Sequence, residues 1–220
     1  VLVVAPHSDD ETLGCGGALL NHAAAGAELH WLLVTQMTRA GGYTDADIAR
    51  RAIEIGEVTR EYGFASVLQL PFKAATLDAV PLGELIEAMA SAFDQVKPNA
   101  LYLPYPYDAH SDHRRCFRAG SACAKWFRRG YLGHVLAYEV PSETGFSLDP
   151  AADAFRPNSY ARMDEAMLER KIDIMRHYAG EMSDFPFPRS PEAIRALARL
   201  RGSECGAVAA EGFALLRSTW

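Results

Sequence analysis

The chain has 220 residues, 49% hydrophobic and 23% charged, which suits one α/β domain with a sizeable core. A formal net charge of −6 disfavours a nucleic-acid surface, and no run approaches the roughly 20 apolar residues of a membrane span. The four cysteines form no CxxC pair, which suits reduced thiols and a cytoplasmic location.

Strand and helix then alternate along the chain. VLVVAP reads as a strand at 1–6. It has no basic flank and no cleavage site, so it is not a signal peptide. It begins without an initiator Met, so a start somewhat upstream is expected. Residues 12–25 read as a helix whose Gly14, Gly16 and Gly17 permit close packing on a sheet. Next come a strand at 28–35, a helix at 45–62 ended by Gly63, a strand at 66–70 and a helix at 82–96 stopped near Pro98. A strand at 100–104, a helix at 113–129 and a strand at 134–140 follow. The tail from Pro141 is less regular, with Pro-rich loops and helices at 163–177 and 191–201.

This alternation predicts a mostly parallel sheet of about five strands with helices on both faces. The expected architecture is a single Rossmann-like α/β domain, with a core at 1–140 and a C-terminal extension at 141–220 covering it. In the doubly wound order 3-2-1-4-5, strands 1 and 4 are neighbours, and ligands bind outside their carboxyl ends.

Both of those ends carry ionisable side chains. The first strand runs into His7-Ser8-Asp9-Asp10-Glu11, where like charges repel unless a cation compensates them. The fourth runs into Tyr107-Asp108-Ala109-His110-Ser111-Asp112-His113-Arg114. Asp9 or Asp10 alone would read as a helix cap. Two such groups on neighbouring strand ends read as a metal site. Imidazole with carboxylate suits zinc or a similar divalent ion, and three protein ligands leave positions open for catalysis.

HSDDE followed by HSDH resembles the two signature motifs of the LmbE/PIG-L family of zinc-dependent de-N-acetylases. Arg51-x-x-Glu54 and Tyr62-Gly63 match that family's second helix, and PNSY and AEGF its C-terminal pattern. The resemblance implies His7, Asp10 and His113 as zinc ligands and Asp9 as general base. It implies His110 as the residue assisting at the oxyanion or leaving group, and Asp112 as an acid that orients His110 and raises its pKa. The reaction implied is hydrolysis of an acetyl amide. In it zinc polarises the carbonyl, Asp9 takes the water proton, and either Asp9 or His110 protonates the departing amine. The partner implied is a small N-acetylated, sugar-containing molecule; a homo-oligomer is left open.

Two departures from the family pattern stand out. Ser8 occupies the place of a usual proline, and Phe72 that of an aspartate in many sugar-specific members. The second keeps an alternative in play, a metal-dependent hydratase or lyase on a small carboxylated substrate. Arg51, Arg114, Tyr107 and Asp108 are expected at the substrate crevice, with Arg51 otherwise on a solvated helix face. Arg115 is expected in solvent, Trp31 and Trp126 in the core, and Cys15 packed under its helix. Glu139 is either a pocket-edge residue or a turn-flanking acid.

Overall fold

Leu2–Ala5 (β1) is buried along its whole length because strands flank it on both sides and helices cover both faces. The computed structural model describes residues 1–219. After β1 come Asp10–Ala24 (α1), His30–Gln36 (β2), Asp45–Tyr62 (α2), Ser66–Lys73 (β3), Leu82–Val96 (α3), Ala100–Pro104 (β4) and Ser111–Cys123 (α4). His134–Tyr138 (β5), Ser159–Met163 (β6), Glu165–Met175 (α5), Pro191–Cys205 (α6) and Ala209–Ser218 (β7) complete the chain. The strands lie in the order β3-β2-β1-β4-β5-β7-β6. Pairing from β3 to β5 is parallel, and β7 joins antiparallel between β5 and β6.

The two-residue period of β1 divides the core. Val3 and Ala5 face a cluster with Leu13 and Leu19 of α1, Val58 of α2 and Ile172 of α5. Leu2 and Val4 face the other, with Met89 and Phe93 of α3 and Cys116 of α4. α1 needs glycine to lie this close. A Cβ on Gly14 would fall 2.2 Å from a ring carbon of Tyr138 on β5.

The predicted order 3-2-1-4-5 is the order found, and the extension adds to it. The tail places β7 and β6 in the same sheet, so seven strands replace the expected five. Both strands are ambiguous by pattern: β7 reads AAEGFALLRS, where Glu211 and Gly212 interrupt a β-type run. The helix expected at 163–177 is the end of β6 followed by α5. The helix expected at 113–129 stops at Cys123, and Trp126, expected in the core, is 70% exposed. Trp31 and Cys15 are buried as expected.

Candidate metal centre and catalytic pocket

α1 starts immediately after β1, and the tight connection constrains Asp9. Its φ of 142° lies where residues with a side chain are rarely found. Asp9 occupies the N-cap position, and its carbonyl accepts from Thr12 N at 3.1 Å and Leu13 N at 2.8 Å. Its side chain makes no capping bond. Instead Asp9 Oδ2 accepts from Arg189 Nη1 at 3.1 Å, inside a cavity. A buried carboxylate that does not cap its helix and sits on strained backbone is not accounted for by the needs of α1.

Beside it, Asp10 lies between two imidazoles from different loops. His113 Nδ1 donates to Asp108 Oδ2 at 2.9 Å, and His7 Nε2 donates to Asp112 Oδ2 at 3.1 Å. Each ring thereby turns its other nitrogen to the same oxygen. His7 Nδ1 and His113 Nε2 both lie 3.3 Å from Asp10 Oδ2. Three ligand atoms from His7, Asp10 and His113 fall within 4.8 Å of one another. His113 Nε2 is buried without a hydrogen-bond partner among the described residues. Two lone pairs aimed at a carboxylate repel unless a cation lies among them, and carboxylate-backed imidazoles are the pattern by which proteins orient metal-binding histidines. The donor set fits a divalent ion.

The electrostatics agree. Burial opposes charge on His7, yet hydrogen bonds to Asp10 and Asp112 lift its pKa to about 9. Burial opposes charge on His113 too, but Asp10 and Asp108 hold it well above its usual value. Asp10 is held far below the carboxylate range: burial works to raise it, and His113 and His7 override that. Positive charge is strongly favoured at this point.

His7, His110 and Asp112 form a second cluster of the same compactness. It is the poorer metal site, because Asp112 is already saturated. Its Oδ2 also accepts from Ala75 N at 2.7 Å, and its Oδ1 from Leu77 N at 3.0 Å. This arrangement corrects the expected pairing of Asp112 with His110. The carboxylate of Asp112 reaches His7, and it is the Asp112 backbone N–H that donates to His110 Nδ1, at 3.1 Å. His110 is the N-cap of α4, so its ring folds back onto the helix start. Burial and the neighbouring His7 and His113 push its pKa down to about 4, the reverse of the cationic His110 expected.

The cavity above these groups has a volume of about 330 Å³ and is lined by His7, Asp9, Asp10, His110 and His113, with Tyr43, Arg51, Glu143, Glu181 and Arg189 around them. Of the four residues expected to bind substrate, only Arg51 lines it. Arg51 is neither solvated nor free: it donates to Ser8 O and Ser8 Oγ, both at 3.0 Å, and pairs with Glu54 and Glu181. Asp108 is fully buried beneath His113, where Thr144 Oγ1 also donates to it at 2.5 Å. Arg114 donates to the carbonyls of Asp108 and Ala109 and so fastens the loop. Tyr107 borders a neighbouring cavity with Tyr105, Phe155 and Glu139. Glu139 is held there by a two-pronged pair with Arg201. Arg115 donates to Leu77 O and Val80 O instead of facing solvent alone. Phe72 is buried in the core shared with α3.

Glu181 and Arg189 escaped sequence reasoning. They lie between α5 and α6, and no spacing links Arg189 to Asp9 across 180 residues of chain. The only hint is Arg189 beside Ser190, the N-cap of α6, in a Pro-rich loop.

The family model described as GlcNAc-PI de-N-acetylase (PIG-L) matches residues 2–124. The chain belongs to this family. The matched PIG-L segment runs from β1 through α4 and includes both motifs; Glu181 and Arg189 lie beyond it. A diacetylchitobiose deacetylase from Thermococcus kodakarensis is 23% identical over 225 residues, covering 96% of this chain and 81% of that protein. Among solved structures, a conserved protein from Thermus thermophilus superposes with a TM-score of 0.76 at 26% identity, covering 100% of this chain and 95% of the other. The 4-carboxy-2-hydroxymuconate hydratase from Pseudomonas putida superposes with a TM-score of 0.73 at 19% identity, covering 100% and 97%. That last likeness is one of fold.

Proposed function

We propose that the protein is a zinc-dependent hydrolase that removes an acetyl group from the amide nitrogen of an N-acetyl amino-sugar conjugate. The observation that carries this reading is the uncapped, strained Asp9 beside an imidazole–carboxylate set whose buried His113 Nε2 has no partner among the described residues. PIG-L membership and the deacetylases among the relatives support the same reaction class. A zinc ion held by His7, Asp10 and His113 supplies Lewis acidity toward the amide carbonyl and toward water.

The remaining work falls to side chains. Asp9 is the group that takes a proton: burial, Asp10 and Glu181 raise its pKa, while Arg189 and His7 work to lower it, which makes its carboxylate a better base than an ordinary one. Having taken the water proton, it hands it to the departing amine. His110 receives the Asp112 N–H on Nδ1, so the neutral ring carries its proton on Nε2. That N–H donates to the oxyanion of the tetrahedral intermediate, a contribution typically worth about 10²–10³ in turnover. Asp108 and Asp112 orient His113 and His7. The C-terminal segment belongs to the same catalytic unit, because Arg189 holds Asp9.

Acetate release from N-acetylglucosamine conjugates, with and without a chelator, tests the proposal. Chelator-sensitive acetate release is expected. Hydration of unsaturated oxo-diacids without acetate release from any N-acetyl sugar would overturn it in favour of a hydratase.

A further inference from the structure

Glu181 occupies an unusual position in the cavity wall. Its two carboxylate oxygens face two guanidiniums: Arg51 Nη2 donates to Oε1 at 2.5 Å, and Arg189 Nη2 lies 3.4 Å from Oε2. All three residues line the cavity that contains Asp9. The two arginines differ in how well they are otherwise held. Arg51 is saturated by Ser8 and Glu54. Arg189 has one close bond to Asp9, the loose pair with Glu181, and a buried Nε without a partner among the described residues. A planar guanidinium with spare donors is a strong receptor for a carboxylate or phosphate. The protein's own carboxylate already fills that receptor.

We infer that Glu181, seated between Arg51 and Arg189, is a specificity-determining residue that occupies the anion position of the pocket and turns away carboxylated substrates. A second carboxylate entering between the two arginines meets Glu181 and Asp9, which already pair with Arg189, and like charges raise one another's cost of ionisation. A neutral hydroxyl-bearing group meets no such repulsion and can donate to a Glu181 oxygen. The inference deepens the deacetylase reading by naming the neutral substrate class, and rests on that reading for its biological sense. Selectivity of this kind comes from the repulsive element.

The test measures binding, so that it stands apart from turnover. Zinc-loaded protein is titrated calorimetrically with N-acetyl-β-alanine and with its neutral amide, and the preference is the ratio of the two Kd values. In Glu181→Gln the preference should move toward the acid by about ten- to a hundredfold, the worth of one hydrogen bond to a charged group. Glu143→Gln removes from the same cavity a carboxylate whose charged neighbours are His7, Asp10, Asp108 and His113 and not the arginine pair, and should move it by less than about threefold. Adding Arg189→Gln to Glu181→Gln should return the preference toward that of the wild type. The inference is overturned if Glu181→Gln binds the acid no more tightly than wild type, or if Glu143→Gln moves the preference equally. Should Glu181→Gln fail to fold, Glu181→Ala is read by the same ratio. A protein that passes this test yet releases no acetate counts against the deacetylase reading alone.

Discussion

Asp10 and Glu11 are consecutive, both buried, and belong to opposite kinds of charge cluster. Asp10 faces the cavity, where His113 Nε2 has no partner among the described residues. Glu11 turns the other way and is satisfied at both oxygens. Thr12 Oγ1 and Tyr178 OH each donate to its Oε1 at 2.7 Å, and Asp9 N donates to its Oε2 at 3.1 Å. Further along α1 a second satisfied cluster repeats the pattern. Glu211 on β7 accepts from Gly17 N, Ala18 N and Lys171 Nζ at 2.7, 2.8 and 2.7 Å, and Lys171 also donates to Leu13 O. At position 17 a Cβ would lie 2.1 Å from Met163 Sδ, so any larger residue there would push the Met163 side chain aside. Buried charges with every hydrogen bond made fasten α5 and β7 to α1. Buried charges left short of positive charge are where chemistry is expected.

Three substitutions probe that contrast in order of expected effect. His113→Ala should strip bound zinc and abolish turnover in the protein that remains folded, because it removes one of the three proposed ligands from the unsatisfied cluster. Metal analysis of the purified variant decides this, and full zinc occupancy would reassign the ligand. Glu211→Ala should do the reverse. It breaks a buried pair and should cost about 3–5 kcal/mol in urea unfolding, since Lys171 is left charged and buried without its partner. Zinc content should stay at the wild-type level in whatever fraction remains folded. If Glu211→Ala loses zinc without losing stability, the two clusters are not separate. Asp112→Asn should weaken zinc binding by about 10–100-fold, the usual loss when a carboxylate behind a metal-binding histidine is removed. A competing chelator titration reads it. An unchanged affinity would mean that the His7–Asp112 contact does not hold the ligand.

The parallel half of the molecule was legible because its elements obey simple periods. β1 and β4 are short apolar runs, α2 ends at a glycine in the left-handed conformation, and the switch point follows from strand order alone. That logic brings HSDDE and HSDH to one crevice from the order of elements alone. It could not say which way each side chain turns. Glu11 reads as a third member of the acidic group and is in fact part of the packing beneath it. Asp112 reads as the partner of His110, its near neighbour, yet its carboxylate bonds across the crevice to His7 because His110 caps α4. The antiparallel half was less legible. β7 carries Glu211 and Gly212 in mid-strand, the first set by its bonds to α1 and the second by the close approach of Pro157 and Arg201, so its pattern departs from the pleat of a sheet. Nothing local tied Arg189 to Asp9, since only tertiary folding sets the two together.

The smallest effect isolates the backbone strain at Asp9. Asp9→Gly and Asp9→Ala both delete the carboxylate, so both lose the bond to Arg189 and relieve the same burial of charge. Turnover should fall in each by about 10²–10⁴, the range for loss of a general base. They differ in one respect. Glycine accepts a φ of 142° without steric cost, whereas alanine keeps the Cβ that makes this region unfavourable. Asp9→Gly should therefore be the more stable of the two by about 1–2 kcal/mol, within the range for a residue held in a sparsely populated region. The figure is reduced somewhat by the greater freedom of glycine in the unfolded chain. Urea unfolding of the two variants, compared at equal slope, measures it. If Asp9→Ala proves as stable as Asp9→Gly, the β1–α1 connection relaxes once the carboxylate is gone. The strain would then be imposed by the pull of Arg189 on Asp9 and not by the turn. Either result says what holds the proposed base over the proposed metal ligands, a question that does not arise for the satisfied carboxylate of Glu11 two residues along.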